Sequence, residues 1–198
     1  MDTHSLIGFL RVMARLKDAP RHCWTPGGRR ESVAEHSWRV SLMAMLMKDE
    51  FPGVDIDKVV RMCLVHDIGE AITGDIPTFL KTDADRVVEG REVDALIGGL
   101  PAPWPRELGA LFDEMEALQS PEAKLYKALD RMEAIQSHNE SGADTWLPLE
   151  YDLNLTYGEK EAAFSPFLTA LRAEMRRETE EIIEDAKWRG IAPEGDAE

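Results

Sequence analysis

The stretch Cys63-Leu64-Val65-His66-Asp67-Ile68-Gly69-Glu70-Ala71-Ile72-Thr73-Gly74-Asp75 constrains the fold of this chain more than any other. His66, Asp67, Glu70 and Asp75, four groups able to bind a metal or move a proton, fall within ten residues of an otherwise apolar segment. A buried charge without a partner is strongly destabilising, so the fold must bring partners to these groups or a divalent ion must sit among them. Val59, Val60, Met62, Cys63, Leu64, Val65 and Ile68 leave the segment almost no polar face. That pattern predicts a helix at the centre of a bundle, with His66 and Asp67 in the interior.

The surrounding sequence reads as further helices. Leu6, Ile7, Leu10, Met13, Ala14 and Leu16 give residues 4–18 an amphipathic spacing that Pro20 ends. The Pro- and Gly-rich segment from Pro20 to Arg30 reads as a loop, and its three arginines and Trp24 make it a candidate anion-binding lip. Ser32-Val33-Ala34-Glu35 has the form of a capping box and opens a helix to about Glu50, with His36 in its first turn. Asp55 can cap the central helix, which Gly74 and Pro77 close. Helices are expected over about 83–99, 105–119, 121–139 (Pro121 at its first position) and 165–187. Residues 140–157 read as mixed loop, with Trp146, Leu149 and Tyr151 as packing residues. No stretch shows strand alternation and no internal repeat is present, so the expected architecture is all-α, one domain over 4–187 followed by a frayed acidic tail over 188–198.

Composition narrows the function classes. No apolar run among the 198 residues is long enough to span a bilayer, so no membrane role is expected. The start lacks a secretory signal, and two cysteines make no disulfide framework; a cytoplasmic location is the expectation. A net charge of −15 argues against long nucleic acids as partners. A small phosphorylated ligand is compatible with that charge, because a bound cation and one or two arginines can invert the field inside a pocket.

The titratable groups at expected interior or cleft positions are His36, His66, Asp67, Glu70, Asp75 and Asp130. On a helix Glu70 would lie beside both His66 and Asp67, while His66 and Asp67 would point about 100° apart and share an ion only in the groove between them. Further ligands must then come from other helices, and His36 and Asp130 are the obvious suppliers. Asp130 interrupts the apolar face Leu125–Leu129–Met132. Singly, each signal is weak: a His-Asp dipeptide is more often a buried pair, His36 an ordinary first-turn histidine, and Asp130 a partner of Lys127 or Arg131. The ordered set is stronger. Two imidazoles and two carboxylates suit manganese, iron, cobalt or zinc, and the lack of a cysteine ligand pattern argues against a structural zinc. His4, His22 and His138 read as surface or rim residues.

The order His36 … His66-Asp67 … Asp130 on a helical chain resembles the HD superfamily of metal-dependent phosphohydrolases. The flanks resemble more narrowly its 5'-deoxynucleotidase family. They are Leu10-x5-Leu16-Lys17-x2-Pro20-Arg21-x2-Trp24, Glu31-Ser32-Val33-x-Glu35-His36, Val65-His66-Asp67-x2-Glu70-x3-Gly74-Asp75-Ile76 and Ala123-Lys124-x5-Asp130-x2-Glu133. The resemblance spans roughly residues 4–140. It implies an HD-type helical bundle and a homodimer that hydrolyses deoxyribonucleoside 5'-monophosphates to deoxynucleoside and phosphate. It also implies a divalent ion, cobalt, manganese or another transition metal, held by His36, His66, Asp67 and Asp130. Glu70 and Asp75 match acidic residues at the substrate, and Arg21 matches a phosphate-binding arginine. Some bacterial members carry a tryptophan directly after that arginine, where this chain has His22; Trp24 fits the Arg-x-x-Trp arrangement of the eukaryotic-type members. That tryptophan is the residue implicated in excluding the ribose 2'-hydroxyl.

On this reading Arg21 clamps the phosphoryl oxygens, with Arg29 or Arg30 as helpers. Asp67 acts with the ion, and Glu70 orients or deprotonates water or protonates the leaving oxygen. The competing readings are an HD phosphohydrolase acting on an alarmone, a cyclic nucleotide or a dNTP, and a non-catalytic helical scaffold stabilised by a metal. The few basic residues over 21–30 favour a monophosphate, and a scaffold would leave Glu70, Asp75 and Arg21 without a task.

Overall fold

In the computed structural model, which describes residues 2–193, the chain is mostly helical with one small hairpin. Ten α-helices are described: α1 (Thr3–Met13), α2 (Val33–Leu46), α3 (Ile56–Val65), α4 (Glu70–Thr73), α5 (Asp83–Gly98), α6 (Trp104–Ala117), α7 (Pro121–Ser141), α8 (Glu150–Thr156), α9 (Glu159–Ala162) and α10 (Pro166–Trp188). Single 3-10 turns cover Ala14–Lys17 and Ala143–Thr145. The all-α expectation holds for the architecture. Among the described residues, no helix is long and apolar enough to cross a membrane. Of the tail expected to fray, residues 194–198 lie outside the described residues.

One segment departs from the expected loop. Strands β1 (Pro20–Trp24) and β2 (Arg30–Ser32) pair as a two-stranded sheet. Pro26, Gly27 and Gly28 belong to the hairpin turn: Thr25 N–H donates to Arg29 O at 2.8 Å and Gly28 N–H to Thr25 O at 2.9 Å, with Gly28 at φ 79°. Pro20 stands at the first position of β1, where a missing N–H is tolerated. Strands of five and three residues are too short to display a two-residue period in sequence.

The chain forms two compact units, one comprising residues up to His22 with Arg30–Lys127, the other Cys23–Arg29 with the chain from Ala128 onward. In the first unit α2 packs along α3, and α4 and α6 pack on α5. Leu16, Val33, Ile68, Ala71, Val93 and Ile97 form one core cluster there, joined by Val12, Val65, Leu108 and Phe112. The capping box expected at Ser32 is present: Glu35 N–H donates to Ser32 Oγ at 3.3 Å, and Ser32 N–H to Glu35 Oε2 at 2.9 Å. Such a cap is worth about 1 kcal/mol and fixes where α2 begins. Asp55 likewise caps α3 through Lys58 N–H at 3.0 Å.

The central helix differs from expectation in two ways. It ends at Val65, with 66–69 forming tight turns before α4 restarts at Glu70. It also has an outer face, since Asp57 and Arg61 are exposed and Leu64 is 57% exposed. In the second unit, residues 140–157 are more ordered than a loop: α7 runs to Ser141, and a 3-10 turn and α8 follow. Trp146 and Tyr151 are buried with Ala143, Ile183 and Ala186, as expected of packing residues, whereas Leu149 is 44% exposed. His138, expected at the surface, is buried, its Nε2 3.4 Å from both Cys23 Sγ and Glu150 Oε1. A helix-facing pattern of one residue per turn cannot reveal that neighbourhood. Neither cysteine is in a disulfide.

Candidate metal and phosphate site

The Ser32 cap sets the first turn of α2, and that turn carries His36, which is fully buried. α3 delivers His66 at its C-terminal boundary, where Nδ1 lies 2.8 Å from Cys63 O. A carbonyl can only accept, so Nδ1 carries the proton and the lone pair of a neutral His66 is at Nε2. The ring edge of Tyr126 closes over the imidazole, with centroids 5.6 Å apart.

The break after Val65 replaces the continuous helix on which His66 and Asp67 could share an ion only in the groove between them. Ile68 N–H returns to Val65 O at 3.2 Å and Glu70 N–H to Asp67 O at 3.0 Å, bonds three residues long that tighten the backbone. Asp67 Oδ2 thereby comes within 3.0 Å of His66 Nε2 and 3.8 Å of His36 Nε2, and the two Nε2 atoms lie 3.2 Å apart. Gly69 permits the turn to sit against α5: a Cβ there would meet Val93 Cγ2 at 2.8 Å and Glu89 Cγ at 3.0 Å.

His36, His66 and Asp67 each offer one ligand atom, all within 4.8 Å of one another. Two imidazole nitrogens and a carboxylate oxygen this close together can be joined by one cation. Separations near 3 Å are what a single ion at about 2.0–2.2 Å from each donor requires, so the residues fit a divalent metal. The Nδ1–H to carbonyl bond is the outer contact that orients a metal-binding histidine.

Beside these three atoms stands an acidic pocket with two cations. Arg21, from β1, lies with Nε 3.2 Å from Glu31 Oε2 and Nη1 3.8 Å from Asp67 Oδ2. Glu70, at the start of α4, is 4% exposed; its Oε2 has no hydrogen-bond partner and its Oε1 lies 3.8 Å from Lys81 Nζ. Burial, with Asp67 and Asp75 as neighbouring negative charges, pushes its carboxyl from 4.5 up to about 9 against the opposing pull of Lys81 and Arg21. Asp75 is also raised, chiefly by burial, with Arg21 opposing. Gly74 precedes it at φ 75°, ψ 163°, a backbone conformation open essentially to glycine, with nothing within 4 Å of an added Cβ.

Of the residues singled out from sequence, His36, His66, Asp67 and Arg21 come together within contact distance, and Glu70 and Asp75 interact electrostatically with Asp67 and Arg21. Trp24, at the end of β1, and Asp130, on α7, are half-buried and belong to the second unit. Arg29 is exposed at the hairpin turn; Arg30, also exposed, donates to the His22 carbonyl. Two residues were missed. Glu31 was read only as the first residue of the Glu31-Ser32-Val33-x-Glu35-His36 resemblance, with no role of its own, and Lys81 had no signal at all.

Comparison with known proteins shows the family. Residues 13–172 match the HD domain family. The human protein named 5'-deoxynucleotidase HDDC2 is 38% identical over 140 residues, 69% of this chain and 68% of its own. The fission-yeast 5'-deoxynucleotidase hdd1 is 31% identical over 140 residues, covering 66% of this chain and 69% of its own. Among solved structures, a "predicted metal-dependent phosphohydrolase" from Magnetospirillum magnetotacticum MS-1 superposes with a TM-score of 0.76 at 29% identity, covering 96% of this chain and 94% of its own. PH0347 from Pyrococcus horikoshii shares the fold, with a TM-score of 0.68 at 24% identity over 87% of this chain and 99% of its own. With the match spanning most of its length and the His-His-Asp convergence within it, the chain belongs to the HD domain family.

Proposed function

We propose that this protein is a metal-dependent phosphohydrolase that converts deoxyribonucleoside 5'-monophosphates to deoxynucleoside and phosphate. The observation that carries the reading is the meeting of His36 Nε2, His66 Nε2 and Asp67 Oδ2 beside the Arg21 guanidinium. The names of the human and fission-yeast relatives support the substrate class. His36, His66 and Asp67 would hold the ion, with manganese, cobalt or another transition metal suited to two imidazoles and a carboxylate. Asp130 is proposed as a further ligand from the sequence order. When bound, the ion supplies Lewis acidity and hydroxide near neutral pH.

The chain's own groups have distinct tasks. Arg21 is held from behind by buried Glu31, which presents its guanidinium to phosphoryl oxygens in a fixed orientation. Asp67 and the two histidines would hold the ion where it can activate a water for attack on phosphorus, the departing 5'-oxygen leaving with the proton that Glu70 supplies. Glu70, which burial keeps protonated, is a donor to that oxygen. Asp75 contacts the sugar and Trp24 senses its 2' position. Phosphate release from a panel of deoxy- and ribonucleoside monophosphates, dNTPs, cyclic nucleotides and alarmones, run with metal analysis, tests the reading. Preferred release from deoxyribonucleoside monophosphates is the expected result, and turnover only of another class would overturn it.

A homodimer belongs to the same proposal. α2 turns Val33, His36, Val40 and Ala44 inward, yet Trp38, Leu42, Met45 and Leu46 form an exposed apolar stripe on it, with Trp38 63% and Leu46 67% exposed. Their exposed parts total roughly 400–500 Å², about half of the ~800 Å² each partner contributes to a standard interface, and a polar rim can supply the rest. No charged residue occurs between Val40 and Met47, which lets two strongly acidic copies meet without opposing like charges.

A further inference from the structure

We infer that Lys81 and Glu89 form a brace that positions Glu70, making Lys81 a positioning residue for the reaction; this rests on the role given to Glu70 above. The brace is a chain of contacts within the first unit. Lys81 Nζ is paired with Glu89 of α5 and reaches to 3.8 Å from Glu70 Oε1. The stem of Glu89 lies beside Gly69, where a Cβ would meet its Cγ at 3.0 Å, so Glu89 fills the space next to the residue directly before Glu70. Glu70 is therefore held from two sides, by its own side chain through Lys81 and by its backbone neighbour under Glu89.

Lys81 itself is on fixed backbone. Leu80 N–H and Lys81 N–H both return to Pro77 O, at 2.8 and 3.0 Å, and Thr82 next to it caps α5 in a capping box with Asp85. The Lys81 and Glu89 side chains are 15% and 17% exposed and Glu70's is 4% exposed, so the contacts are shielded from solvent screening that makes surface pairs weak. Burial would pull the lysine toward neutrality, but the hydrogen bond and charge of Glu89 outweigh it and keep the ammonium charged. Glu70 has few other means of orientation, since its Oε2 makes no hydrogen bond. An ordinary ion pair anchoring α5 would involve Lys81 and Glu89 alone; the approach to Glu70 and the wedge against Gly69 make the pair part of the site's wall.

The test uses the full-length, manganese-loaded protein carrying Lys81→Met, Lys81→Arg, Glu70→Gln or Lys81→Met with Glu70→Gln. Lys81→Met is expected to lower kcat by about 10- to 100-fold with KM and metal content unchanged, as for displacement of a group at the reacting centre. Lys81→Arg should restore most of kcat, and in the Glu70→Gln background the Lys81 substitution should cost little more, because both act through one group. Loss of thermal stability with kcat unchanged, or fully additive losses, would overturn the brace. Hydrogen exchange over residues 66–75 decides the matter independently of turnover: Lys81→Met should speed it and Lys81→Arg should not, and equal exchange in both overturns the proposal. If the wild-type protein hydrolyses none of the nucleotide panel, the activity reading fails on its own and the exchange result still judges the brace.

Discussion

Replacing Glu70 by glutamine should change how stability depends on pH. An unfolded glutamate ionises near 4.5, whereas native Glu70 holds its proton up to about 9, because burial and the adjacent Asp67 and Asp75 oppose its charge. Between those values the native state binds one proton that the unfolded chain does not, so stability falls as pH rises through the window. One proton corresponds to about 1.4 kcal/mol per pH unit, and from pH 6 to pH 8 the wild type should lose about 2.7 kcal/mol relative to Glu70→Gln. For a chain of this length that is a relative shift in Tm of roughly 5–10 °C. Thermal and urea unfolding of both proteins in chelator, at pH 6, 7 and 8, measures it. Added manganese should reduce the wild-type slope only in part, since a cation beside Asp67 offsets the neighbouring charges while burial, the larger cause, still holds the proton on Glu70. Parallel pH profiles for the two proteins would refute the reasoning.

Four further outcomes are expected. Asp67→Ala should lose bound metal and turnover together, as read by metal analysis and phosphate release, and full activity without metal would exclude the proposed centre. Gly69→Ala should destabilise by about 1–3 kcal/mol in denaturant melts, because its Cβ would lie 2.8 Å from Val93 Cγ2 with α5 backbone behind it. Trp24→Ala should reduce the dAMP-to-AMP ratio of kcat/KM, and an unchanged ratio means the 2'-hydroxyl is sensed elsewhere. Trp38→Glu should convert the protein to a monomer by light scattering after size exclusion, while a wild-type monomer would remove the α2 stripe as an interface.

What could be read from the sequence followed from how local each signal is. The S-x-x-E box marked the start of α2, and apolar spacing marked α1 and α7, because caps and amphipathic faces depend on neighbours in the chain. The β1–β2 hairpin escaped because its turn residues are also loop residues and its strands are short. The break in the central helix escaped for another reason. Val65 through Glu70 contain no proline, and Gly69 alone does not end a helix; what favours the turn is packing of Gly69 beneath Glu89 and Val93, a contact with a segment some twenty residues away. Candidate ligands were legible as a set of residue types, whereas Glu31 and Lys81 were not, since each gains its meaning only from the residue it meets in space.

Gly74 has a consequence that concerns handedness alone. Its φ of 75° and ψ of 163° are the mirror image of ordinary extended backbone, and the space where a Cβ would go is open. An L-alanine there would be refused for its chirality, at about 1–3 kcal/mol, and not for its size. A D-alanine introduced by chemical synthesis has the same volume and should be accepted. The direction in which Asp75 leaves the chain is thus set by one achiral residue, independently of anything its side chain touches.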